Sequence, residues 1–264
     1  MEISLPVRQR TIGYFAVFIM LGLSSAALGP ALPYLAENTG SLLSQISVLF
    51  VVRSGGYLLS SWLGGRLYDR FSGHVLLGIC LFTMAGILAA IPFISYLWFL
   101  SAAIFLIGVT EGVIDVGGNT LLVWSYRDDV GPFMNALHFF FGAGSFLAPF
   151  ILAQAIQATG EITFAYGSLA LIAVLVLLWM IRLPGPDIPV VDPVSVSSPE
   201  EVQENNTRWK VFLLMATTLM LYVGAEVSFG GWIFTFAREM NLAGEAAAAY
   251  LTSAFWGAFT LGRL

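Results

Sequence analysis

An all-α membrane fold follows from three observations. Of the 264 residues, 58% are hydrophobic and 10% charged, with a mean hydropathy of +0.85; a soluble domain carries about 25% charged residues. Apolar runs of about 20 residues, the length a helix needs to cross the hydrocarbon core, recur along the chain. Polar residues inside those runs fall at helical spacing, above all Glu111, Asp115 and Asn119, each four residues from the next.

The elements come in order. The run 12–35 is too long for a signal-peptide core and others follow it, so it reads as a retained helix. Gly29, Pro30 and Pro33 should break or kink it near its end, which is either structural or the wall of a cavity. The second run, 44–66, carries Arg53 near its middle. The third, 74–93, holds Cys80, the only cysteine, which excludes internal disulfides and cysteine-rich metal or iron–sulfur centres. The fourth, 97–124, contains the Glu111–Asp115–Asn119 stripe. The runs 133–157, 163–183, 209–237 and 246–264 complete eight expected helices. Between the sixth and seventh, residues 184–208 bring Pro184, Pro186, Pro189, Pro193 and Pro199, then Glu200, Glu201 and Glu204, the composition of a loop. Three units follow: a six-helix bundle over 1–183, a cytoplasmic linker over 184–208, and two helices over 209–264.

Basic residues set the orientation. Arg8, Arg10, Arg66, Arg70, Arg127, Arg182, Arg208 and Lys210 flank one set of helix ends, while the opposite loops, about 36–43, 94–96 and 158–162, contain no Lys or Arg. The N-terminus and the long linker are therefore expected in the cytoplasm. Asn205-Asn206-Thr207 forms a glycosylation pattern, but on the inner side it should be silent. The net charge of −5 arises from acids in loops and in the 185–205 segment. No basic patch suggests a nucleic-acid partner. No nucleophile–base or metal-ligand cluster suggests an enzyme, and no cofactor is assigned.

A carboxylate at bilayer depth costs at least about 2.5 kcal/mol on the mildest scale. Two on one helix face repel each other unless they share a proton or cation, or border a water-filled cavity. Glu111 and Asp115 thus read either as an ion site along a polar path or as a buried pair satisfied by neighbouring helices. Arg53 needs a partner, and their face is the obvious candidate; the pair is either structural or part of a charge relay. Gly112, Gly117 and Gly118 permit close approach of another backbone. In the seventh run, Glu226 lies near the middle, with Tyr222, Phe229 and Trp232 on neighbouring turns. Aromatic faces beside a few polar groups suit a sugar ring, although membrane aromatics also face lipid or core. His138 in the fifth run is either a titratable group or a packing residue.

The second run ends in Gly64-Gly65-Arg66-Leu67-Tyr68-Asp69-Arg70-Phe71-Ser72-Gly73-His74. This stretch resembles the inner-loop signature of the major facilitator superfamily, with Gly65, Leu67, Asp69 and Arg70 in place, Gly73 one residue late, and His74 where a stronger base is usual. The resemblance implies a conformational latch at Asp69, Arg70 and Gly65. It also implies a half–linker–half layout with repeated halves. Leu261-Gly262-Arg263-Leu264 echoes Leu63–Leu67, and the segment 233–241 loosely echoes 32–40. The expected fold is thus the first six-helix bundle of that superfamily plus the first two helices of the second, a truncated form in which the chain stops where helices 9–12 should follow.

Segments Val52–Gly56, Asp115–Asn119, Pro132–Pro149 and Tyr222–Phe236 look more closely like the sodium-dependent glucose transporter branch, which is related to bacterial fucose–proton symporters. In the latter an acid on helix 4, four residues before an asparagine, is the protonation and sugar site. Asp115 and Asn119 match that spacing. The implied protein is a multi-pass symporter of the plasma membrane. It moves a hexose-type sugar by alternating access, coupled to H⁺ or Na⁺. Asp115, Glu111 and Arg53 would carry ion coupling, and Asn119, Glu226, Trp232 and His138 would meet the solute. The alternatives are a carrier of another small solute, or a non-transporting scaffold or sensor on the same fold. A scaffold gains nothing evident from the cost of the charged stripe.

Overall fold

The computed structural model describes residues 5–186 and 205–262, with side chains of 205–207 left aside. All regular elements among them are helical. The first span is α1, Leu5–Thr39. The second is a short turn of helix, α2, Leu43–Ile46, continued by α3, Val48–Tyr68. Then come α4 (Gly73–Ala90), α5 (Leu97–Tyr126), α6 (Gly131–Thr159), α7 (Thr163–Met180), α8 (Asn205–Glu239) and α9 (Glu245–Leu261). Seven described spans are long and apolar enough to cross a bilayer. The eighth expected helix is α9, whose 17 residues sit at the lower end of the spanning range. Most of the expected linker, the glycosylation pattern's side chains, and Arg263 and Leu264 of the repeat lie outside the described residues.

Pro30 and Pro33 do not end α1, which continues to Thr39 with both inside it. Membrane helices tolerate interior proline when neighbouring helices and local adjustment satisfy the freed carbonyls, and α1 is surrounded: it touches α5, α6, α7 and α8. Gly160, with φ +76°, closes α6 in the left-handed conformation that glycine adopts without strain.

Two helix pairs form the frame: α3 along α5, and α1 along α6. Lipid tails are as apolar as leucine, so such pairs depend on close packing rather than on a drive to leave water. Small residues supply the closeness. The buried positions Gly56, Ser60 and Gly64 repeat every four residues on α3, and Gly108 and Gly112 do so on α5. The contact is reciprocal: a Cβ on Gly56 would strike the Phe105 carbonyl oxygen, and one on Gly108 would strike that of Arg53. In the other pair, a Cβ on Gly22 would strike the Phe141 carbonyl and one on Gly144 that of Ile19. Tyr68 at the end of α3 donates a 3.0 Å hydrogen bond to the Val113 carbonyl of α5. α4 completes the bundle by packing on α5 and α7.

The last two helices join this bundle along one seam. α8 rests on α1, and α9 rests on α6 and α8. Gly29 of α1 approaches the Gly231 backbone so closely that a Cβ there would lie 2.6 Å from its carbonyl oxygen. Near it, Phe50 and Trp232 meet with ring centroids 5.6 Å apart.

Candidate functional site: a polar ladder between α3 and α5

The two stripes of the frame carry polar residues at the same step. Arg53 and Tyr57 stand four apart on α3, as Glu111 and Asp115 do on α5. Because the helices run side by side in the same direction, the first rung of one meets the first rung of the other. Arg53 Nε donates to Glu111 Oε2 at 2.8 Å. Tyr57 OH donates to Asp115 Oδ2 at 2.6 Å.

The rungs differ in environment. The Glu111 side chain is 1% exposed and that of Arg53 13%. Both carboxylate oxygens of Glu111 are engaged, since Ser24 Oγ donates to Oε1 at 2.8 Å. Arg53 also donates from Nη2 to Ser25 Oγ at 2.7 Å. One buried charge is thus matched to one opposite charge, and two adjacent serines of α1 add one hydrogen bond to each partner. This is the arrangement a buried ion pair needs to offset its desolvation.

Asp115 is only half-buried and Tyr57 is exposed. Its carboxylate is held by neutral donors: Tyr57, and Asn119 Nδ2 at 3.2 Å from Oδ1. Asn119 Nδ2 also donates to the Asp115 carbonyl at 2.8 Å. Hydrogen bonds stabilise a carboxylate without cancelling its charge, which distinguishes this rung from the ion-paired one.

The structure therefore brings together Arg53 with Glu111, and Asp115 with Asn119. The other expected residues stand on α6, on α8 and at the end of α3. His138 of α6 is half-buried with its ring edge-on to Phe18 of α1, 6.0 Å between centroids. Glu226 is half-buried on α8, and Trp232 packs against Phe50. Asp69 and Arg70 are exposed at the end of α3. The Asp69 amide donates to the Gly65 carbonyl at 3.0 Å, and Gly65 has open space beside it. His74, by contrast, is buried, with Nε2 at 2.9 Å from Tyr14 OH and Nδ1 at 3.0 Å from the Leu183 carbonyl.

Sequence reasoning missed three participants: Tyr57, Ser24 and Ser25. The signal for Tyr57 was its four-residue step from Arg53, identical to that between the two acids. For the serines it was an adjacent pair of hydroxyls inside the long apolar run of α1. No group of three or more His, Cys, Asp or Glu placed to hold a metal occurs among the described residues.

The family model of the Major Facilitator Superfamily matches residues 14–264. Among curated proteins, Sodium-dependent glucose transporter 1 of Danio rerio is 32% identical over 94% of this chain and 47% of its own length. That of Homo sapiens is 32% identical over 94% of this chain and 54% of its own length. The chain thus spans about half the length of these relatives. Among solved structures, the nucleoside transporter NupG aligns with TM-score 0.69 and 15% identity, covering 98% of this chain and 64% of that one. A D-xylose-proton symporter aligns with TM-score 0.61 and 17% identity, covering 94% and 65%. At such identities these two likenesses speak for the fold alone.

Proposed function

The chain belongs to the major facilitator superfamily, and from that premise we propose that its protein is a secondary active transporter moving a hexose-type sugar by alternating access, coupled to H⁺ or Na⁺. The likeness to proteins named for sodium-dependent glucose transport supports the solute class. The observation that carries the mechanism is the unequal partnering of the two acids on α5. Glu111 is neutralised by Arg53 and sealed; Asp115 is accessible and has only neutral donors. A coupling group must take up its ion on one side and release it on the other. A carboxylate locked to a guanidinium resists that exchange, whereas one held by a phenol and an amide permits it.

Asp115 is the coupling residue in this reading, with Glu111 and Arg53 fixing its surroundings and Asn119 orienting it. Glu226, Trp232 and His138 meet the solute from α8 and α6. Asp69, Arg70 and Gly65 form the inner latch, which cysteine accessibility at the inner face of an Asp69→Asn variant tests: unchanged accessibility refutes the role. The three units are the bundle 1–183, the cytoplasmic linker 184–208 and the two helices of 209–264. The distribution of basic residues supports an N-terminus in the cytoplasm. The protein sits in the plasma membrane in this reading, and the work it does is transport rather than catalysis.

The test uses the full-length protein in vesicles. Asp115→Asn imitates the protonated acid at nearly constant shape. It is expected to abolish sugar accumulation driven by a pH or Na⁺ gradient, while sugar exchange, which needs no net ion movement, survives. Gradient-driven accumulation that persists in Asp115→Asn sinks the assignment. If Glu111→Gln alone loses it, Glu111 is the coupling acid and Asp115 the supporting one.

A further inference from the structure

A small cavity of about 20 Å³ lies where α1, α3, α8 and α9 converge, lined by Ser25, Phe50, Arg53, Gly230, Gly231 and Trp256. It is on the scale of a single oxygen atom, since one water needs about 10–15 Å³ on this measure. Its polar side chains are donors, while Ala26 and Gly29 bring backbone carbonyls whose helical partners would be Pro30 and Pro33, which have no N–H. A guanidinium has five N–H groups and no acceptor, and among the described residues two of those of Arg53 are engaged, by Glu111 and Ser25. Ser25 accepts from Arg53, which leaves its own hydroxyl proton to donate. Trp256 is 4% exposed, and its indole N–H is buried without a hydrogen-bond partner. The indole edge that bears this nitrogen packs over Gly230, itself part of the cavity wall: a Cβ on Gly230 would lie 3.1 Å from Trp256 Cε2.

An orphaned buried N–H costs about 1–3 kcal/mol, which is why such groups are rare in native structures. Here the orphan stands at a cavity whose side chains offer it no acceptor and whose backbone offers carbonyls, so the group that fits is an oxygen that both accepts and donates. The charge decides what kind. Glu111 already balances Arg53, so an anion would add an unmatched charge in a low-dielectric site. A neutral oxygen satisfies the donors without that penalty. The cavity also spans the seam, with Ser25 and Arg53 from the first bundle and Trp256 from α9.

We propose that this cavity seats one hydroxyl oxygen of the transported solute, held between Ser25 and Arg53 on one side and the Trp256 N–H on the other. The inference rests on the sugar-carrier reading above and adds to it a single-hydroxyl subsite that ties the two parts of the molecule together through the solute.

The experiment measures KM for D-glucose and for each monodeoxy-D-glucose in vesicles containing the full-length protein. Wild type is compared with Trp256→Phe, which keeps an aromatic ring and removes the N–H. In wild type, one deoxy position should lose affinity on the order of five- to tenfold, the worth of a lost hydrogen bond to a buried site. In Trp256→Phe, D-glucose itself should weaken by a similar factor, while the sensitive deoxy sugar should bind as it does to wild type. The penalties at other positions should stay unchanged. Should Trp256→Phe fail to fold, Ser25→Ala removes a hydroxyl from the same cavity and should flatten the same position. A variant that weakens all sugars equally, or none, overturns the inference and leaves the carrier reading intact; the cavity then holds water only. Wild-type protein that moves no hexose refutes the carrier reading and the inference with it.

Discussion

α1 and α8 are the same length, 35 residues each, and both read as long apolar runs. Yet 78% of the most apolar stretch of α1 is buried inside the protein, and none of that of α8 is. Hydropathy reports only that a segment prefers hydrocarbon to water; it does not distinguish lipid from protein as the neighbour. The difference lies in where small residues meet other backbones. α1 offers Gly22 to α6 and Gly29 to α8, whereas Gly224 of α8 faces open space. Only toward its far end does α8 become part of the packed structure, where Gly230, Phe234, Thr235 and Ala237 are buried. Among the described residues α1 is an axle enclosed by its neighbours, and α8 is packed only toward one end.

The most direct challenge to this contrast is to enlarge one glycine in each helix. In Gly22→Leu the new side chain collides with the Phe141 backbone, which cannot yield as a side-chain tip can. The expected loss is about 3 kcal/mol or more, read as little folded monomer in detergent and a lowered unfolding temperature. Gly224→Leu should stay within about 0.5 kcal/mol of wild type. Equal losses would mean that α8 is as enclosed as α1.

A second comparison tests why α1 can hide hydroxyls at all. Ser24 and Ser25 are tied to the Glu111–Arg53 pair. Glu111→Ala leaves the Arg53 charge buried and uncompensated, a loss of about 3–5 kcal/mol. Adding Arg53→Met to Glu111→Gln removes both charges and should recover most of it. Thermal unfolding of the two variants checks this; a double variant no better than Glu111→Ala would show that the pair itself, and not the avoidance of a lone charge, holds the helices.

The smallest expected effect lies on α8. Leu214 is 69% exposed, so Leu214→Ala should shift stability by no more than about 0.5 kcal/mol. A larger shift would reveal that this face is covered by protein.

The helix count, the charged stripe and the candidate partner of Arg53 were all legible in the sequence, because each is written in local spacing: 20-residue apolar runs and four-residue steps. Membership of the superfamily was legible from the Gly65–Arg70 segment. The division of labour between Glu111 and Asp115 was not. Both acids lie on one face of one helix, and what separates them is the register of α3 against α5, which gives one acid an arginine and the other a tyrosine. That register is set by contacts between helices, such as Gly56 with Phe105 and Gly108 with Arg53. Likewise nothing in the sequence singled out Trp256 of α9, whose buried N–H has no hydrogen-bond partner among the described residues. The extent of α1 was underread as well, since its prolines suggested a boundary that surrounding helices make unnecessary.

The length of α1 has a further consequence for the membrane itself. At 1.5 Å per residue, 35 residues reach about 52 Å, while the hydrocarbon core is about 30 Å thick. Tilting alone would need an angle of about 55°, beyond the observed range of about 0–40°. The helix must therefore stand proud of the oily layer. At one end it carries Arg8 and Arg10. At the other, Asn38 Nδ2 reaches the carbonyls of Pro92 and Ile94 at 3.2 and 3.1 Å, tying the protruding turn to the end of α4. An axle with both ends held outside the hydrocarbon feels any change in bilayer thickness, so membrane composition becomes a variable acting on this fold through its longest buried helix.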